Sequence, residues 1–196
     1  VYTSVVFENY LYLGTNQGLF YKQRDVDSDF SFVQGTNGQV WNLKVLDDQL
    51  FCGHDRGTFL IKNRKLQYSI GQSPGTWDFK TLITNPSIIL QGNYNGLSLL
   101  EKTQGKWRFR NKIKGFDISS RFYHQIGNQI FVNHELRGLQ ELTLNEDLTA
   151  VTKISNITPV LNGKGSNFLK FSKSFFHTSS EGVYKFNPAN LETPSD

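Results

Sequence analysis

Residues 12–22 read YLGTNQGLFYK, two glycines four apart inside a run of Leu, Tyr and Phe that otherwise has strand character. The same arrangement returns down the chain. LYLGTNQG, LFCGHDRG, ILQGNYNG, FVNHELRG and FFHTSSEG end at Gly18, Gly57, Gly96, Gly138 and Gly182, with spacings of 39, 39, 42 and 44 residues. The second glycine never changes, as expected of a turn that needs positive φ. The first is Gly14, Gly53 and Gly92 in three copies and becomes His134 and Thr178 in the last two.

Each glycine pair is preceded by an apolar segment: TSVVFEN, VWNLKVLDD, TWDFKTLITN, SRFYHQIGN and NFLKFSK. Turn signals such as Glu8-Asn9, Asp47-Asp48, Asn85-Pro86 and Gly127-Asn128 close several of these segments. GLFYKQ, GTFLIKN, GLSLLEK, GLQELTL and GVYKF follow the glycines, and then come poorer stretches such as KLQYSIG. Four short strands in every 40 or so residues, without a sustained 3.6-residue apolar pattern, match the period of a propeller blade. The expected fold is an all-β propeller of four-stranded antiparallel blades, with repeats at 1–37, 38–74, 75–116, 117–162 and 163–196.

The composition agrees with that architecture. Aromatic residues make up 14% of the 196 residues and there are 17 glycines, which suits strands joined by tight turns. A net charge of +4 is too small to imply nucleic acid. One cysteine, Cys52, excludes an intrachain disulfide framework. No stretch reaches the length of an apolar spanning helix, and the first ten residues, VYTSVVFENY, lack the basic start and apolar core of a signal peptide.

YLGTNQGLFYK, with the turn Phe7-Glu8-Asn9 before it, resembles the two-component-regulator propeller repeat. LFCGHDRGTFLI, LQGNYNGLSLLEK and FVNHELRGLQEL are similar to one branch of it. That branch is the sensor propeller of bacterial membrane regulators, which carry a triple-tyrosine domain with a LuxR-type helix-turn-helix, or a hybrid histidine kinase. The resemblance implies a non-enzymatic periplasmic sensory module, joined to the membrane and to the rest of its receptor through parts outside this chain. It also implies rings of seven blades. Five units would then be an arc, with self-association or further blades covering its ends.

Other constellations point elsewhere and are weaker. His54, His124, His134 and His177 fall about one per repeat with no H-x-x-x-H pair. Cys52 and His54 share one strand face without further local ligands, so packing is expected of them. DVDSD, residues 25–29, opens like a calcium loop but has Phe30 at the sixth position and Thr36 at the twelfth. No nucleophile elbow or Walker loop occurs, and neither catalysis, cofactor nor metal is expected. In KWRFRNKIK, residues 106–114, strict alternation would put Lys106, Arg108, Arg110, Lys112 and Lys114 on one strand face, away from Trp107 and Phe109. That is the pattern of a charged outer or edge strand. It is not a stacking surface for single-stranded nucleic acid.

In a propeller unit, the loop into the innermost strand and the loop between the second and third strands open on the same face. The candidate ligand-binding residues on that face are Trp41, Trp77 and Arg121 at strand entrances, and His54, Asp55, Arg56, Asn93, Tyr94, Asn95, His134, Glu135 and Arg137 in the turns. Their side chains suit a small polar ligand such as an oligosaccharide or a peptide, with tryptophan faces beneath it. A protein-binding scaffold and a carbohydrate-active enzyme are the alternatives.

Overall fold

The computed structural model describes residues 1–71, 73–157 and 163–187, and these contain no helix. Five antiparallel sheets follow one another along the chain. The first holds β1 (Thr3–Phe7), β2 (Tyr10–Gly14), β3 (Leu19–Gln23) and β4 (Ser31–Phe32). The second holds β5 (Val40–Leu46), β6 (Gln49–His54), β7 (Gly57–Lys62) and β8 (Lys65–Ile70). The third holds β9 (Thr76–Thr81), β10 (Ile88–Asn93), β11 (Gly96–Thr103) and β12 (Lys106–Lys112). The fourth holds β13 (Phe122–Ile126), β14 (Gln129–His134), β15 (Gly138–Leu144) and β16 (Val151–Asn156). The last holds β17 (Asn167–Phe171), β18 (Ser174–Ser179) and β19 (Gly182–Phe186). The fourth strand expected of the last unit falls beyond residue 187, outside the described residues. In each sheet the strands pair in sequence order. The first strand of each blade is the innermost, and β1 packs against β5, β5 against β9 and β13 against β17. The fold is a β-propeller.

Local chemistry sets the hairpins. Glu8-Asn9, Asp47-Asp48, Asn63-Arg64 and Gln104-Gly105 all have positive φ, the two-residue geometry whose twist matches that of the flanking strands. Gly18, Gly57, Gly96, Gly138 and Gly182 have φ of 139°, 126°, 109°, 72° and 152°, which explains why the second glycine is invariant. The first glycine answers to packing. A Cβ on Gly53 would lie 2.7 Å from the Thr76 carbonyl oxygen, and one on Gly92 would lie 2.0 Å from that of Ser120 and 2.6 Å from the Tyr123 ring. At each site the next blade's entrance crosses the strand.

The core is a series of layers between neighbouring blades. Tyr12 and Leu19 pack with Leu43, Leu50, Cys52 and Phe59 between blades 1 and 2. Phe51 and Leu60 meet Phe79, Ile89, Leu100 and Trp107 between blades 2 and 3. Leu90, Leu97 and Leu99 meet Tyr123, Ile130 and Val132 between blades 3 and 4. Phe131 and Leu139 meet Phe168 between blades 4 and 5. A middle strand is thus covered on both faces. β6, QLFCGH, is buried at every position after its first, whereas the outer β8, KLQYSI, alternates. Burial of each large apolar side chain stabilises the stack by about 2 kcal/mol.

Two sequence expectations change. Pairing aligns Gly92 with Leu97 and Asn133 with Leu139. The fourth blade's turn is one residue longer, so Asn133 and not His134 stands at the first-glycine position. In β12 the register shifts opposite Leu99/Leu100, where Arg110 is the extra residue. The bulge reverses the alternation. Lys112 then sits on the face of Trp107, and the five cations do not share one side.

The two end faces differ from the inner ones. On the face of blade 1 turned from blade 2, Val6 is 48% exposed. On the face of blade 5 turned from blade 4, Phe171 is 73% and Val183 71% exposed. No described residue covers them.

Candidate functional site

One register position recurs at the blade entrances. Thr3 pairs with Gly14, Asn42 with Gly53, Asp78 with Gly92 and Phe122 with Asn133. The residues just before these are Tyr2, Trp41, Trp77 and Arg121. In blades 2 and 3 pairing continues past the tryptophan, with Val40 opposite His54 and Thr76 opposite Asn93, so Trp41 and Trp77 are the extra residues of two β-bulges. A bulge re-aims the side chain that it inserts. Here it turns both indoles out of the strand alternation.

The turned-out rings meet. Trp41 and Trp77 have centroids 4.8 Å apart, Tyr2 lies 4.9 Å from Trp41, and Tyr94, from the turn between β10 and β11, lies 5.0 Å from Trp77. The Trp41 indole N–H donates to the Tyr94 hydroxyl at 2.6 Å, and the Trp77 N–H donates to Ser119 Oγ at 3.0 Å. The Arg121 guanidinium sits 5.0 Å from the Trp77 ring, a cation–π contact. Gly75 makes the closeness of Tyr94 attainable. It has φ +70°, and a Cβ there would fall 2.1 Å from the Tyr94 ring. Tyr2 and Tyr94 are exposed and the two tryptophans half-buried, so the rings form a shallow aromatic platform open to solvent. Burial raises the Tyr94 phenol above its ordinary range, against the Trp41 hydrogen bond that lowers it and with Asp55 adding to the rise. The hydroxyl therefore keeps its proton at neutral pH and can donate outward while it accepts from Trp41.

The structure brings Trp41, Trp77, Tyr94 and Arg121 together, with Asn95 exposed beside Tyr94. Other candidates have local partners. His54 is fully buried. Its Nε2 lies 3.2 Å from the Thr36 carbonyl, and its Nδ1 accepts the Arg56 backbone N–H and lies 2.5 Å from Asp55. Burial lowers the His54 pKa, against Asp55, which raises it. His134 Nδ1 accepts the Leu136 N–H in the same way, as Thr15 and Ser179 hydroxyls accept from Gln17 and Glu181. Both histidines thus stand at a turn-capping position. Asn93 is buried in a network with Gln91 and Ser98. Arg56 donates to the Gly35 and Asn37 carbonyls, holding the link between blades 1 and 2. Glu135 accepts the Gly163 N–H through its carbonyl, and Arg137 lies in the exposed turn of blade 4.

Tyr2 and Ser119 also belong to the platform. For Tyr2 the sequence held a signal, since it precedes Trp41 by 39 residues, as Gly14 precedes Gly53. Beside the platform, Asp78 accepts from Asn42 at 2.6 Å, from Lys80 at 2.6 Å and from its neighbour's backbone N–H at 2.8 Å, with Lys44 at 3.4 Å. Burial alone would raise its carboxyl, but the two ammonium groups and these donors hold it below the ordinary aspartate value. Among the described residues, no group of three or more His, Cys, Asp or Glu could hold a metal ion. No helix among them is long and apolar enough to cross a membrane.

No protein-family model matches the sequence, and no curated protein matches it. Solved structures do. The chain superposes on the extracellular domain of the putative one-component system BT4673 from B. thetaiotaomicron with TM-score 0.70 and 14% identity, over 96% of this chain and 30% of that one. A structure described as the extracellular domain of the putative hybrid two-component system BT4673 gives TM-score 0.69 at the same identity and coverage. The WD40 propeller domain of Doa1 gives TM-score 0.61 and 11% identity over 93% of this chain and 61% of that one. The chain therefore spans less than two thirds of each of these proteins, and the shared property is the propeller fold.

Proposed function

We propose that this propeller is the ligand-binding sensory module of a bacterial signal-transduction or transcriptional regulator, placed outside the cytoplasm, and that it takes an oligosaccharide or peptide on the Tyr2–Trp41–Trp77–Tyr94 platform. One observation carries the reading. Bulges expend two strand positions on exposing indoles at the ring's face, where the same tryptophans on unbulged strands would follow the packing alternation. Tilted aromatic rings in contact, with a hydroxyl and a guanidinium beside them, suit a sugar ring, whose C–H face packs on indole while its hydroxyls accept and donate at the edge. The likeness to extracellular domains of putative one- and two-component systems supports the sensory role. The reading is non-enzymatic: of the carboxylates near the platform, Asp78 is held as an anion between Lys44 and Lys80 and Asp55 lies against the buried His54 imidazole. Calorimetric titration with a panel of neutral and acidic oligosaccharides and short peptides tests it. Binding that is weakened at least tenfold in both Trp41→Ala and Trp77→Ala supports the platform, and binding unaffected by either contradicts it.

A second reading has its own observation. The apolar end faces at Val6 and at Phe171 and Val183 suit a protein partner, either further blades of a larger ring or a second copy. Sedimentation that shows concentration-dependent association, abolished by Phe171→Lys with Val183→Lys, supports it. A compact monomer at all concentrations contradicts it.

A further inference from the structure

The blade entrances give the platform a direction. They hold Tyr2, Trp41, Trp77 and Arg121 in four successive blades, and contacts of 4.9, 4.8 and 5.0 Å join these side chains in that order. Three aromatic rings thus run from blade 1 to blade 3 and end against a guanidinium from blade 4. The guanidinium also lies 5.1 Å from the Phe122 ring, so two aromatic groups orient it.

Arg121 is the unexplained member of the row. It is exposed, and its N–H donors make no hydrogen bond or ion pair among the described residues, whereas Arg56 donates to two carbonyls and Arg110 to one. The acids of the adjoining segments are engaged elsewhere. Asp117, from the loop before Arg121, is bonded to Lys112, Asp78 accepts from Asn42 and lies between Lys44 and Lys80, and Glu135 lies 3.5 Å from the Gly165 N–H. Asp55 stands on the Tyr94 side, since the Gly75 N–H donates to the Asp55 carbonyl at 2.8 Å and the Tyr94 N–H to the Gly75 carbonyl at 3.0 Å. Its carboxylate lies against the buried His54 imidazole at 2.5 Å. Negative charge therefore accompanies Tyr94, and an uncompensated positive charge stands beside Trp77. A charged donor fork next to a half-exposed indole, with no acceptor of its own, leaves that acceptor to the ligand.

Resting on the platform reading above, we propose that the ligand is an acidic sugar, which packs on Trp77 and gives its carboxylate or sulfate group to Arg121, so that it lies along the row with its anionic group toward blade 4. The guanidinium offers parallel N–H donors that match two oxygens of either group. A neutral sugar leaves those donors to water. Because the site is open to solvent, the gain from the charge is modest and is screened by salt.

The test is calorimetry on the whole chain with sugars matched except for charge: trigalacturonate against its methyl ester, and sulfated lactose against lactose. At about 50 mM salt the acidic member of a pair should bind roughly three- to fivefold more tightly, and at about 1 M salt that advantage should vanish. The pair that shows it tells carboxylate from sulfate. Arg121→Gln should bind both members with the affinity of the neutral one. Tyr2→Ala and Trp41→Ala should weaken both members alike and keep their ratio, which separates the charge from the stacking. Equal affinities within both pairs, or a ratio unaltered by Arg121→Gln, overturn the acidic-sugar assignment and leave the platform standing. Failure of every sugar to bind overturns both, and an acidic peptide that binds through Arg121 where the sugars fail overturns the sugar.

Discussion

Blades 2 and 3 enter their innermost strands differently from blades 1 and 4. β5 and β9 continue to pair beyond the tryptophan, to Val40 and Thr76, and push Trp41 and Trp77 out as bulges. The β1 and β13 ladders run from Thr3 and Phe122 with unbroken register, and the Tyr2 N–H adds one bond to the Gly14 carbonyl. The same position is therefore exposed in two ways, by an inserted residue within a strand or by a strand that starts late. The first way fixes the ring more firmly, because paired backbone holds it on both sides. The two central tryptophans are the rigid part of the platform, and Tyr2 and Arg121 flank it.

The largest effect is expected where the entrance crosses its neighbour. Gly92→Ala drives a methyl into the Ser120 carbonyl and the Tyr123 ring and should cost about 3 kcal/mol. Asn133→Gly, at the same register position in blade 4, removes side-chain bonds to Ser166 and His177 and should cost about 1–2 kcal/mol. Urea unfolding distinguishes them, and equal costs would break the distinction between a crowded and a bonded crossing.

Next comes Gly75→Ala, strained at φ +70° and in collision with the Tyr94 ring, for which a loss of about 2 kcal/mol is expected. It should also weaken platform binding, because Tyr94 must leave Trp77. Trp77→Ala should weaken binding at least tenfold yet lower stability by only about 1–2 kcal/mol, since its ring is half-exposed. Arg121→Ala, on the flank, should change binding a few-fold and stability by a few tenths of a kcal/mol.

One further effect appears only when the pH is lowered. His124 has a folded pKa of about 3 against an ordinary 6.5, so the unfolded chain gains this proton first and stability falls as the pH drops from 6.5 toward 3. The loss should reach roughly 2 kcal/mol at pH 4 after allowance for the ring's partial exposure. Asp78, depressed in the fold, adds its own loss as the pH falls below the ordinary aspartate value of 3.8. Unfolding free energies between pH 7 and pH 4 should be flatter in His124→Gln, while the steeper loss below that range persists.

Sequence spacing revealed the blades because each must turn through a glycine of positive φ, a requirement written into single residues such as Gly57 and Gly96. Other features depend on how strands align. Gly53 and Gly92 are small because a neighbouring backbone crosses them, which a turn motif does not disclose. A one-residue lengthening in the fourth turn exchanged His134 for Asn133, and the extra Arg110 in β12 reversed an alternation that looked uniform. The tryptophans drew notice as residue types, but the bulges that expose them leave no local mark. The charge pair beside the platform was hidden more deeply. Lys44 and Asp78 lie in different repeats and meet only because β5 and β9 stand side by side.

The central claim is that Trp41 and Trp77 form a ligand surface while Trp107, 2% exposed, belongs to the core. The chain has three tryptophans, so its indole N–H region in a ¹⁵N–¹H correlation spectrum should hold three cross-peaks, assignable with single Trp→Phe variants. Titration with an oligosaccharide or peptide shown to bind by calorimetry should move the Trp41 and Trp77 peaks and leave that of Trp107 in place. Calorimetric binding with the Trp41 and Trp77 peaks unmoved would contradict the account.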